Sequence, residues 1–169
     1  IEVVTEEMRR KYWVIETYTA IDAQETDHIR GVIYPGREVC YLGIPFAHLG
    51  WDTLANNEYV RQEGIRRNWP SLAVTDPRWV PEQVEHALRQ PGCVGAKPYY
   101  SMIRYNRFLT AGHIEAGIFD FLPHHQLEVL DTYHAWVTLH VPKAERLGHP
   151  ANIRQIREIR KRYPHVKLV

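Results

Sequence analysis

The stretch WVTLHVPKAERLGHPANIRQIREIRKRYPHVKLV, residues 136–169, decides how the chain is read. It opens on an apolar, β-prone run that closes on His140 and breaks at once into Pro142, Lys143 and a charged loop. The segment NIRQIREIRKRY then places Ile153, Ile156, Ile159 and Tyr163 on one stripe, the spacing of an amphipathic helix. HVKLV (165–169) returns to a strand pattern. Strand, helix, strand in this order predicts parallel strands joined by a right-handed crossover.

The same alternation runs upstream. Apolar β-prone runs lie at EVCYLGIPF (38–46), PSLAVT (70–75) and GCVGAKPYY (92–100). Between them, PEQVEHALRQPG (81–92) opens on Pro81, sets Val84, Ala87 and Leu88 on one face and stops at Pro91 and Gly92. LPHHQLEVLDTYH (122–134) repeats the design with Pro123, Leu127, Leu130 and Tyr133. The fold class expected is α/β, as a layer fold or a (β/α) barrel, in one domain over 1–169 without internal repeat or linker. The segment 101–119 is longer than an ordinary strand-to-helix loop, which marks it as a functional loop.

Composition narrows the partners. With 169 residues, 44% hydrophobic and a net charge of +1, the chain suits one soluble core and a small-molecule substrate rather than nucleic acid. No apolar run approaches the roughly 18 residues that cross a bilayer, so no membrane partner is expected. Cys40 and Cys93 are far apart in apolar settings and read as buried core thiols of a reducing compartment. The acidic start IEVVTEEMRRKYW lacks the pattern of a secretory leader, and a cytoplasmic location is expected. It also lacks an initiator Met, as a piece of a longer chain would.

In parallel α/β folds functional groups collect at the carboxyl ends of strands, where the loops converge over one mouth. The strand ends here carry Pro45, Phe46 and His48, then Thr75 and Asp76, then Lys97, then His140. A neutral imidazole at a strand end suits a divalent metal. One histidine alone makes no site, since metal centres take about three or four ligands, and a core or loop histidine is the alternative. Lys97 has an equally plain alternative as a solvated charge.

The residues from Trp136 to Val169 resemble the amidohydrolase 2 family, a branch of the amidohydrolase superfamily of metal-dependent hydrolases and decarboxylases. In that family a strand ends in His, a loop of the form xRLxxPxNI follows, and a helix ending in RYP leads to the next strand. GIPF (43–46), LAVTDPRW (72–79) and GCVGAKPYY (92–100) are similar to its second, third and fourth strands; the likeness is weak over 1–37. The resemblance implies a (β/α)8 TIM-barrel fold with one or two divalent metals, zinc foremost, at its mouth. It implies His140 as the ligand ending the fifth strand and Lys97 as a metal-bridging or substrate-contacting residue ending the fourth.

Two departures stand out. The His-x-His pair of the family's first strand is absent, and His124 and His125 are adjacent at a helix start and cannot replace it. A further histidine and an aspartate would fall beyond Val169. The chain therefore reads as a partial barrel of about strands two to six, incomplete at both ends, and such open edges favour pairing with a second copy as a homo-oligomer.

Around this centre, Tyr99, Tyr100 and Arg104 are candidates to bind substrate, through an oxyanion donor and a carboxylate fork, with surface packing of the long loop as the equal alternative. Arg107 shares the second role, and His113 is open as a lid residue. His48 is a candidate mouth residue, with an ordinary polar loop as its alternative; Asp52 reads rather as a helix cap. His124, His125 and His134 read as structural or solvated, and the basic run of Arg154, Arg157, Arg160, Lys161 and Arg162 as an outer helix face. The implied function is a metal-dependent hydrolase or non-oxidative decarboxylase of a small organic acid, lactone or amide. The alternatives are a catalytically incomplete barrel fragment with a structural or assembly role, and a metal-free enzyme using Lys97 as a Schiff-base amine.

Overall fold

A computed structural model describes residues 22–47, 52–103 and 114–169. The chain divides into two compact units, Ile1–Cys40 and Tyr41–Val169. In the first, helix α1 (Ala23–Ile33) starts at Asp22, whose carboxylate accepts from the Glu25 backbone N–H at 2.8 Å. None of its residues is buried.

The second unit runs α2 (Thr53–Arg67), β1 (Ser71–Thr75), α3 (Pro81–Leu88), β2 (Cys93–Pro98), α4 (Ile118–Phe121), α5 (His124–Thr132), β3 (Trp136–Val137), α6 (Pro150–Arg162) and β4 (Lys167–Leu168). The strands form a parallel sheet in the order β1-β2-β3-β4. The chain is thus a mixed α/β protein whose neighbouring strands are consecutive in sequence. Among the described residues no helix is long and apolar enough to cross a membrane.

The helices read from their apolar spacing form near the expected bounds. Pro81 opens α3, and the Gln83 side chain accepts from the Val80 N–H at 3.0 Å, supplying a cap that Val80 itself lacks. Asp52 caps α2 as expected, accepting from the Ala55 N–H at 3.0 Å. Val84 of α3, Leu127 and Leu130 of α5 and Ile159 of α6 are fully buried against Ala96 and Val137 of the sheet. Each such side chain contributes on the order of 1.5–3 kcal/mol by leaving water.

Two expectations need correction. Residues 38–46 do not form a strand; only Gly43 joins the sheet, as an isolated parallel bridge to Ser71. Its N–H donates to the Pro70 carbonyl at 2.8 Å and its carbonyl accepts from the Leu72 N–H at 2.9 Å. A Cβ at Gly43 would meet Val60 Cγ1 at 2.9 Å, so glycine permits the approach, while Pro45 offers no N–H to continue the ladder. The cysteines are not both core thiols: Cys40 is exposed and Cys93 is half-buried. Burial pushes the Cys93 thiol up from its ordinary pKa.

Beyond Gly43 the same edge of β1 is closed by a side chain. Asn57 of α2 donates its amide to the Val74 carbonyl and accepts from the Val74 N–H, both at 2.9 Å, reproducing a strand pairing with one carboxamide. Val74 is fully buried, so its backbone would otherwise lack a partner. Asn57→Ala is expected to lower stability by roughly 1–3 kcal/mol, read from the midpoint of chemical denaturation. An unchanged midpoint would show that this edge needs no partner.

Candidate functional site

The β2 and β3 strands carry the site because they lie unusually close. Gly95 pairs with Trp136, and a Cβ on Gly95 would stand 1.9 Å from the Trp136 carbonyl oxygen. Strand β3 is formally shorter than the expected run, yet its pairing continues: Thr138 N–H donates to Ala96 O at 3.2 Å and Leu139 N–H to Val169 O at 2.9 Å. Alternation along this extended backbone turns Ala96, Val137 and Leu139 toward the helix-covered core, and turns Lys97, Trp136 and His140 to the other face.

Three sequence-selected residues meet there. The Lys97 ammonium lies 5.4 Å from the Tyr99 ring centre, and the Tyr99 ring lies 4.3 Å from that of His140. Tyr100 also packs on His140 at 4.6 Å, edge to face, beside Tyr99 at 5.2 Å, and its own ring reaches Phe121 in the core at 6.3 Å. Tyr100 belongs to a short 3-10 turn, Tyr100–Met102, that follows β2 directly. The rings therefore tie the mouth to the buried centre of the fold.

Electrostatics at this cluster lean one way. Burial lowers the Lys97 pKa, because a charged ammonium is poorly solvated between strands. Burial first, then the charges of Lys97 and Arg146, lower that of His140, which holds its imidazole neutral. The Tyr99 phenol is raised, chiefly by burial, against a smaller opposing pull from Arg146. Arg146 is the member that sequence reading missed. It sits in the loop after β3, and its Nη1 donates to the Val141 carbonyl at 2.8 Å, one residue from His140.

The remaining candidates divide. His48, Arg104, Arg107 and His113 lie outside the described residues. Asp76 at the end of β1 is a turn residue, its carboxylate accepting from Arg78 Nε at 2.9 Å and Nη2 at 2.7 Å. His124 pairs with the Tyr163 hydroxyl at 2.8 Å, and His125 donates to the Trp79 carbonyl at 2.9 Å, both structural contacts. His134 stacks on His165 at 4.4 Å, beside the opposite, amino-terminal ends of β3 and β4.

A cavity of about 460 Å³ lies elsewhere, against β1 between α2 and α3. Much of its polar lining is already engaged: Arg61 with Glu58 at 2.7 Å, His86 with Gln90 at 3.3 Å, and Asn57 with Val74. We read it as a gap between two helices on the covered face. The strand-end cluster, where polar groups face outward unspent, is the better site.

For a divalent metal, His140 fits as one nitrogen donor, since it is neutral and half-exposed at a strand end. Among the described residues no group of three His, Cys, Asp or Glu side chains converges, so those residues supply one ligand. Comparison with protein-family models, with curated proteins and with solved structures finds no match to this chain.

Gly95 positions the whole arrangement. Gly95→Ala is expected to part β2 from β3 and to lower stability by roughly 1–3 kcal/mol, the range for overpacking a tight site. Calorimetry reads the loss, and weakened amide-exchange protection at Thr138 locates it. A variant with native protection there would show that the strands can tolerate the methyl group.

Proposed function

We propose that the chain acts as a metal-dependent hydrolase or non-oxidative decarboxylase of a small organic acid, lactone or amide, with its sheet belonging to a (β/α)8 barrel of the amidohydrolase 2 type. The observation that carries this reading is the meeting of Lys97, Tyr99 and His140 beyond neighbouring parallel strands, where such folds place chemistry. The resemblance of 136–169 to that family supplies the reaction class.

Each residue has a role that follows from its surroundings. His140 would hold the metal, zinc foremost, through a ring nitrogen kept unprotonated by burial and nearby cations. A bound divalent ion supplies an activated water or polarises a substrate carbonyl. Lys97 meets substrate or metal-centre charge from a position too dry to be well solvated. Tyr99 keeps its proton because burial raises its pKa, and so it can donate to a developing oxyanion.

Metal analysis of the purified protein, with turnover assays on carboxylic acids, lactones and amides, tests the reading. His140→Ala is expected to lose bound metal and activity together. Lys97→Ala is expected to reduce turnover by on the order of 10²-fold while the melting temperature changes little. Full metal content in the histidine variant would remove His140 from the centre. A lysine variant that lost only thermal stability would make Lys97 scaffolding.

A further inference from the structure

We propose that the cavity of about 460 Å³ between α2 and α3 is a second binding site, and that it takes a small neutral aromatic molecule. It shares no lining residue with the strand-end cluster of Lys97, Tyr99 and His140, so it stands apart from the metal-dependent reading.

The gap is held open rather than left by loose packing. Helix α2 packs chiefly on β1, where the Asn57 carboxamide clamps it to Val74 with two 2.9 Å bonds. Helix α3 is tied instead to α5 by the Tyr133 hydroxyl, which donates to the Glu85 carboxylate at 2.7 Å and accepts from Arg89 Nε at 2.7 Å. Arg61 of α2 spans the space between them. Its Nη1 donates to the Pro91 carbonyl beyond α3 at 3.3 Å, while Nε and Nη2 hold Glu58 at 2.9 and 2.7 Å. A guanidinium committed at both ends acts as a strut, and this side chain is only 16% exposed.

What remains of the lining sets the ligand class. Ser71 Oγ donates to the Gly92 carbonyl at 3.3 Å, and the Gln83 side chain is committed to the Val80 N–H. Glu82 is exposed in the first turn of α3, where a carboxylate complements the helix's own end. The uncommitted surface is hydrocarbon, from Leu54, Leu72, Ala73, Ala87 and the Trp79 ring. Such walls favour a ligand by the apolar area it withdraws from water, and disfavour a charged one that must shed its hydration. A neutral aromatic ligand needs none of the cavity's existing bonds broken.

Size and shape narrow the ligand further. The volume lies within the range of small-molecule sites, roughly 300–1,000 Å³, and far above the space that one water fills. Trp79 offers a flat wall on which an aromatic ring stacks or meets edge-on. Three bonds fix the backbone that carries it. Its N–H donates to the Asp76 carbonyl at 2.9 Å, and its own carbonyl takes bonds from His125 at 2.9 Å and Gln126 at 3.1 Å. The wall is therefore in place before a ligand arrives, which lowers the entropy lost on binding.

Titration calorimetry of the purified protein with indole, and with tryptamine and indole-3-carboxylate as its cationic and anionic counterparts, tests the assignment. Indole is expected to bind at least about tenfold tighter than either charged probe. L54W, at a position 68% exposed, and A87F each place a ring in the cavity from opposite helices. Both should lower indole affinity at least about tenfold without lowering the melting temperature. Leu54 is peripheral, so its variant keeps the test open if the Ala87 variant disturbs the fold. His140→Ala should bind indole as the wild type does. Tighter binding of tryptamine would give the cavity to a cation at Glu82, and loss of indole binding in the His140 variant would place the probe at the strand ends; either result overturns the proposal. So would wild-type affinity in both filled variants, or no binding of indole up to its solubility limit.

Discussion

Everything at the candidate site depends on how closely β2 approaches β3. Parallel strands ordinarily lie just under 5 Å apart, which leaves a Cβ room to stand clear of the neighbouring backbone. At Gly95 it would not, since the Trp136 carbonyl occupies that position. Removing the side chain at one residue lets β3 seat against β2, and two residues further along β2 the same face carries Lys97. From there the aromatic ring of Tyr99 spans to His140 beyond the end of β3. A glycine on the strand therefore sets how closely Lys97, Tyr99 and His140 can be brought together.

The electrostatic character follows from that seating. The Lys97 and Arg146 charges disfavour a proton on the His140 ring, and burial penalises charge on both His140 and Lys97. The neutral imidazole relieves part of the repulsion, and the ring face of Tyr99 offers Lys97 a weak cation–π contact. Neither replaces a counter-ion. Lys97 is held on a strand, and Asn152 fixes the Arg146 backbone by donating to its carbonyl, while the Arg146 guanidinium is tied to the Val141 carbonyl.

How far the sequence revealed this differs from element to element. The helices with a buried stripe, at 81–88, 124–132 and 150–162, were legible because Val84, Leu127, Leu130 and Ile159 recur at helical spacing. Helices α1 and α2 were not, since α1 buries no residue and α2 fully buries only Gly64. The run 38–46 has strand composition, but its pairing stops at Gly43, and the next bonds on that edge come from Asn57, a long-range contact that no local pattern announces. Cys40 followed that misread strand. Lys97 and His140 were legible as strand-end residues from periodicity, and Tyr99 from its place just after Lys97; their meeting is a fact of the structure. Arg146 was legible only as the arginine of the xRLxxPxNI loop, because nothing in RLGHPAN marks its left-handed backbone or its bond to the Val141 carbonyl.

The sheet divides its labour between faces, and the cavity against β1 and the strand-end cluster differ in consequence. On the covered face, apolar side chains of α3, α5 and α6 fill the space over β2 and β3, whereas α2 and α3 diverge over β1 and leave the cavity between them. Every polar group named in its lining is satisfied by a neighbour, so a ligand entering it would have to break existing bonds to be recognised. At the strand ends the balance is opposite: Lys97 and Arg146 carry charge without a described carboxylate, and His140 presents its ring against two adjoining tyrosines. Recognition energy comes from groups whose bonding capacity is unspent, and a pocket whose donors and acceptors already have partners has less of it to offer a ligand.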